Sequence, residues 1–270
     1  MDHDAALIEA IGGLAALLEE GAPLRRSLRH RSHLRHVRKG HRAVKRVMAD
    51  YFQRQKSAIV ARVRPLLHLI REDRKSAEER AAWLLPDTLS PLSFPITGSE
   101  SSAFNTAITA AVDAAARQLA REIETSATLP QTFAGDYLRE HSLSKLTGEI
   151  AQTTRERLRT AVADAFEAGG TADDIVAAIR SEMDSMSTKR AEMIAQTEVN
   201  AAYNAGRMAL AGSASMKEKA WVTESGNPCP TCTANEAEGW IPIEAFFSSG
   251  DLQPTAHPMC YCSVDFRVKS

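Results

Sequence analysis

Five side chains near the end of the chain have the types and spacing of a metal site. Cys229-Pro-Thr-Cys232 is a C-x-x-C pair, and His257-Pro-Met-Cys260-Tyr-Cys262 follows as an H-x-x-C-x-C run. A C-x-x-C turn presents two thiolates from one knuckle, and the second run supplies further donors from a separate turn. Sulfur and imidazole donors in two pairs suit a closed, tetrahedral, structural zinc site. Five candidates compete for four positions. Cys229, Cys232, His257 and Cys260 are the favoured set, with Cys262 as a substitute for Cys260 or His257. In an extended segment residues 260 and 262 point the same way, which leaves that choice open. The competing reading is a set of free, partly buried cysteines. No cysteine precedes position 229. In a reducing compartment, clustering at one end argues for metal rather than disulfides. A closed four-ligand site leaves no position for water, so metal catalysis is not expected.

A second set of polar residues lies on a helix. Over residues 188–211, Ile194, Ala201, Ala205 and Met208 fall on one face at helical spacing. Arg190, Thr197 and Asn204 share that face and Glu198 borders it. Polar groups on an apolar stripe must be hydrogen-bonded or each costs about 1–3 kcal/mol. A structural polar network of Arg190, Thr197, Glu198 and Asn204 is the preferred reading, and a catalytic use of Glu198 the lesser one. No G-x-S-x-G, P-loop or H-E-x-x-H motif occurs, and Glu236-Ala-Glu238 reads as a solvated acidic loop. No catalytic residue is assigned.

Charge is segregated. Fourteen Lys and Arg fall between Arg25 and Arg64 against one acid, Asp50, a local charge of +13 in a chain of net −1. Arg25, Arg26, Arg29, Arg31, Arg35, Arg38, Lys39, Arg42, Lys45 and Arg46 are candidates for contact with a polyanion or an acidic protein surface. Between Cys229 and Cys262, in contrast, there is no Lys or Arg. That speaks against a nucleic-acid-reading zinc module.

The elements that must position these residues are mostly helical. The 270 residues are rich in Ala and Leu, and no apolar run is long enough to cross a membrane. No basic region precedes the first apolar run, so neither a secretory signal nor an oxidising compartment is expected. Residues 5–20 carry apolar residues at helical spacing around Gly12-Gly13. A helix from about Val44 to Ile70 is interrupted at Pro65, and further helices are expected over Phe104–Ile123 and Tyr137–Ala168. Gly169-Gly170 suits a C-cap, and Thr171 with Asp174 opens the next helix. Short strands are expected at Lys219–Thr223, Gly239–Ile243 and Cys262–Phe266. The fold class is therefore mainly α, a helical body with a small C-terminal α+β zinc-binding module. The divisions are a basic N-terminal helical arm (1–85), a Pro/Ser-rich linker (86–103), a helical core (104–212) and the zinc-binding module (213–270).

Four stretches in order resemble the phage Mu F-like head morphogenesis family, the minor capsid proteins of tailed phages. They are Tyr137–Ala165 around Thr153-Thr-Arg-Glu-Arg-Leu158, then Arg190-Ala-Glu-Met-Ile-Ala-Gln-Thr-Glu198 with Asn204. Trp221-Val-Thr with Cys229-Pro-Thr-Cys232 and Gly239-Trp-Ile-Pro comes third, and His257-Pro-Met-Cys260-Tyr-Cys262 last. The second is similar to the family's R-A-x-x-I-A-R-T-E…N helix and the fourth to its H-P-x-C-R-C ending. Gln196 and Tyr261 stand where the family has Arg. The resemblance implies a non-enzymatic role in head assembly, at the portal or the inner capsid. Portal, capsid or scaffolding protein and packaged double-stranded DNA are the partners it implies, with no membrane and no small-molecule substrate. The virion head interior, after assembly in the host cytoplasm, is the implied location. Mu F-like domains also occur joined to toxin domains, which makes an ADP-ribosyltransferase-type enzyme the alternative.

Overall fold

The computed structural model describes residues 35, 37–69, 76–86, 96–141, 143–224 and 226–268, with side chains omitted at 143–152. The 5–20 helix, Arg25, Arg26, Arg29, Arg31 and most of the Pro-rich stretch lie outside the described residues.

Helix α1 covers residues 37–63 and tightens into a 3-10 turn, Arg64–Leu69. Pro65, the second residue of that turn, has no N–H to continue the α ladder. Helix α2 (Ala77–Leu84) is capped by the Ser76 hydroxyl, which accepts from Glu79 N at 3.1 Å. Helix α3 (Gly98–Glu122) opens on a reciprocal cap. Thr97 Oγ1 accepts from Glu100 N at 3.2 Å, and Thr97 N donates to the Glu100 carboxylate at 2.9 Å. Helices α4 (Phe133–Glu140) and α5 (Leu143–Glu167) follow. Past the end of α5, Gly169 takes a left-handed φ of 71°, and Gly170 N closes onto Ala165 O at 2.9 Å. Thr171 and Asp174 then cap α6 (Ala172–Ser213) in both directions. At 42 residues α6 is about 63 Å long.

Helix α6 runs through three apolar clusters. Its first part (Ile175, Ile179, Met183) packs with Ile59 and Val63 of α1, Leu84 of α2 and Val162 of α5. Its middle (Ile194, Val199, Tyr203) packs with Val44, Met48 and Phe52 of α1 and Phe104 and Val112 of α3. Its end (Leu210, Ala211) meets Leu119 of α3 and Val264 and Phe266. Each fully buried side chain of this size contributes about 1.5–3 kcal/mol. Gly206 lets α3 and α6 touch backbone to backbone, since a Cβ there would lie 2.4 Å from Val112 O.

The C-terminal part is a three-stranded antiparallel sheet of order β2-β1-β3. Strand β1 (Glu218–Val222) lies between β2 (Trp240–Pro242) and β3 (Ser263–Arg267). A short helix, α7 (Pro230–Ala237), follows β1. The three strands fall within a residue or so of the expected positions, and the molecule is mainly helical.

Four features differ from the expectation. Residues 37–69 share both large cores with α3, α5 and α6, so this part of the basic segment is a wall of the helical body rather than an arm apart. Helix α3 starts inside the stretch assigned as linker, because Thr97-x-x-Glu100 caps it. The helix expected over Tyr137–Ala168 is broken, with α4 ending at Glu140 and α5 starting at Leu143. The helix over 188–211 is continuous with the one that Thr171 caps.

Candidate metal centre and the helix that grips it

Cys229 is the N-cap of α7, and Pro230 occupies the first helical position, where a missing N–H costs nothing. The cap sulfur accepts from Cys232 N at 3.3 Å. One turn of helix therefore sets both thiols of the C-x-x-C pair on the same side. The second knuckle is a tight turn, in which Cys260 N donates to His257 O at 3.2 Å and Met259 takes a left-handed φ of 61°. Trp221 and Phe247, edge to face at 5.1 Å between centroids, share a buried cluster with Cys232, Cys260 and Cys262.

The five donors form two overlapping triads that share Cys232. Cys229, Cys232 and His257 make one, and Cys232, Cys260 and Cys262 the other, with ligand atoms within 4.8 Å of one another in each. His257 Nε2 lies 3.2 Å from Cys229 Sγ and 3.4 Å from Cys232 Sγ, and Cys232 Sγ lies 3.8 Å from Cys260 Sγ. Zinc bonds of about 2.3 Å to sulfur and 2.0 Å to nitrogen give tetrahedron edges of about 3.8 Å between sulfurs and 3.5 Å between sulfur and nitrogen. The observed separations are close to those edges. His257 Nδ1 faces Pro258 O at 2.8 Å. A carbonyl only accepts, so Nδ1 carries the proton and Nε2 turns its lone pair to the sulfurs, as in histidines that bind zinc while a carbonyl holds the other ring nitrogen.

Without a cation the cluster cannot hold all of its sulfurs as thiolates at once. The Cys232 backbone N–H holds the Cys229 thiol below its ordinary value. Burial, with Cys260 adding to it, pushes Cys232 up to about 12. A hydrogen bond from the Cys262 thiol outweighs burial and brings Cys260 down to about 6. Cys262 is pushed far up, first by giving that hydrogen bond and then by burial. Burial lowers His257, but the bond to Pro258 O and the Cys260 and Cys229 sulfurs leave it raised. A buried set that crowds its proton onto some sulfurs and off others is one that a divalent cation would relieve. The donors thus fit zinc, which would supply a cross-link between the two knuckles.

The second knuckle is held from outside by one row of side chains on α6. Gln196 Nε2 reaches Cys260 O at 3.4 Å, and Asn200 Nδ2 donates to Cys260 O at 3.1 Å and Cys262 O at 2.9 Å. Asn204 Nδ2 donates to Cys262 O at 3.0 Å while its Oδ1 accepts from Val264 N at 3.2 Å. Arg207 Nε donates to Val264 O at 3.0 Å, and its other nitrogens pair with Glu122 at 2.9 Å and Asp265 at 3.4 Å. Thr197 Oγ1 accepts from Met259 N at 3.1 Å and donates to Met193 O at 2.8 Å.

Residues 156–265 match the family model described as Phage Mu protein F like protein. This stretch is a Mu F-like domain. Among curated proteins and solved structures, none matches the chain. The Mu F-like domain begins in α5, takes in all of α6 and ends in β3, so it contains both the grip and all five donors.

The four residues expected as one network have separate partners. Thr197 and Asn204 hold the second knuckle, as described. Arg190 Nη1 donates to Thr154 of α5 at 2.6 Å. Glu198 is half-buried and faces Tyr137, whose phenol is pushed up by burial and by that carboxylate. Sequence reasoning passed over Asn200 and Arg207, although both lie one turn from Asn204. Helical spacing places both on that face but does not say what they bind.

Of the basic candidates within the described residues, Arg35, Arg38, Lys39, Arg42 and Arg46 are exposed. Lys45 pairs with Glu192 of α6, as does His41 at 3.0 Å. Glu236-Ala-Glu238, expected as a solvated acidic loop, instead closes α7 with both carboxylates engaged: Glu236 accepts from Thr223 N at 3.1 Å and from its hydroxyl at 2.6 Å, and Glu238 accepts from Ser248 N at 2.8 Å.

Proposed function

We propose that the chain is a structural, non-enzymatic minor head protein of a tailed phage or prophage, acting in capsid assembly at the portal or the inner capsid and in DNA packaging or ejection. The observation that carries this reading is the Mu F-like match over residues 156–265, the stretch that holds the donor cluster and its grip. Structural zinc, held by Cys229, Cys232 and His257 with Cys260 or Cys262, fixes residues 213–270 as a module. Portal, capsid or scaffolding protein is the proposed partner. Packaged double-stranded DNA is a second, met by the exposed cations of α1 in a strongly salt-dependent way. No helix among the described residues is long and apolar enough to cross a membrane. The proposed site of action is the virion head interior, after assembly in the host cytoplasm. The test is mass spectrometry of purified particles together with elemental analysis of the isolated protein. Detection in heads with about one zinc per chain is the expected result, and absence from particles sinks the reading.

A further inference from the structure

A groove of about 640 Å³ runs between α1 and α3. Its floor is built from Gly40, Ala43, Ala110, Ala114 and neighbouring alanines, and its rim carries Lys39, Arg117 and Arg121. Thr106 brings the lining's one hydroxyl, and it already donates to Ser102 O at 2.8 Å. A small polar ligand would find no convergent buried polar groups there, which such sites need. Lys45, Arg54, Lys56 and Arg64 each pair with an acid of α3 or α6. Lys39, Arg117 and Arg121 have no ion-pair partner among the described residues, and all three are exposed. The groove therefore suits an apolar helix face flanked by acids.

The chain contains such a segment. Leu7, Ile11, Leu14 and Leu18 recur at i, i+4, i+7 and i+11, one face of a helix. The first 24 residues hold Asp2, Asp4, Glu9, Glu19 and Glu20 and no Lys or Arg, a charge of −5 opposite a rim of +3. Some 18 residues separate Glu20 from Lys39, where the groove begins beside Gly40, a reach of up to about 60 Å. We propose that the acidic amphipathic segment 5–20 docks in the α1–α3 groove of its own chain, with its leucine face on the alanine floor and its carboxylates at the cationic rim. Small floor residues allow a helix to approach closely, and the opposed charges fix which way it lies.

The test is made on the full chain with a photo-crosslinking benzophenone residue at position 110, where Ala110 is exposed. Irradiation followed by digestion and mass spectrometry should find position 110 joined to a peptide from residues 1–24, in a species of monomer mass. Arg117→Glu with Arg121→Glu should cut the yield by roughly fivefold or more, because two exposed attractions become repulsions. Adding Glu19→Arg and Glu20→Arg should restore it. Helical circular dichroism of each variant serves as the folding control, since the substituted residues are on the surface. Crosslinks to a second copy, crosslinks to none of residues 1–24, or a yield indifferent to the charge swap would each overturn the proposal.

Discussion

Cys232 belongs to both donor triads, so it is the residue on which metal binding turns. Cys232→Ser should reduce zinc content from about one per chain to near zero, measured by elemental analysis. Single replacement of Cys260 and of Cys262 should then separate the ligand from the bystander. The α6 row carries a different weight. Asn204→Ala leaves Val264 N without its partner, while Cys262 O keeps the bond from Asn200 Nδ2. A loss of about 1–3 kcal/mol is expected for that one stranded group, read from the denaturant midpoint. Zinc binding should survive in that variant at saturating metal, which distinguishes the grip from the ligands. The ligands were legible in the sequence because C-x-x-C and H-x-x-C-x-C are local patterns. The gripping residues were only partly so. Asn200 and Arg207 bind main-chain atoms some 60 residues away, and a face count registers them as polar positions of no particular meaning.

Helix packing turns on two glycines of unequal tolerance. A Cβ at Gly206 would meet Val112 backbone at 2.4 Å, and one at Gly40 would meet a Val199 methyl at 2.8 Å. Backbone cannot step aside as a methyl can, so Gly206→Ala should destabilise by about 1–3 kcal/mol and Gly40→Ala by less, compared by urea midpoints. The docking of α1 is also acid-sensitive. Burial raises Glu100, but the Thr97 backbone N–H and Arg54 of α1 outweigh it and leave the carboxyl below its ordinary value. Lys45 of α1, helped by His41, holds Glu192 of α6 low against burial. Lowered folded values mean that this stabilisation is present above the ordinary carboxylate range and is lost as pH falls through the folded values. Melting temperature should therefore drop as pH is taken from 5 toward 3, and Glu192→Gln should flatten part of that fall. The caps at Thr171 and Gly169 could be read in advance, since each is a short pattern with its own mechanism. The packing of α1 could not, because periodicity reveals that a face is buried and not which element buries it. The break between α4 and α5, at His141, carries no Gly or Pro to announce it.

At the scale of the molecule, the C-terminal module is tied down twice. Zinc would join its two knuckles, while Val264 and Phe266 of β3 sit against the ends of α3 and α6. A chelator should thus split thermal unfolding into two steps, a low one for residues 213–270 and a higher one for the helical body. Differential scanning calorimetry with and without chelator checks this, and a single unchanged transition would show that metal contributes nothing.

The hydrogen bonds from α6 to Cys260, Cys262 and Val264 reach main-chain carbonyls and amides. Such a grasp is blind to what the intervening residues display. Tyr261, with its ring 36% exposed, stands between two gripped carbonyls as a position free to change its chemistry. Substitution there can therefore change the outward surface of the knuckle without disturbing the anchor beneath. A saturation library at 261 should retain zinc and melting temperature almost throughout, whereas one at Asn204 should lower the melting temperature nearly everywhere.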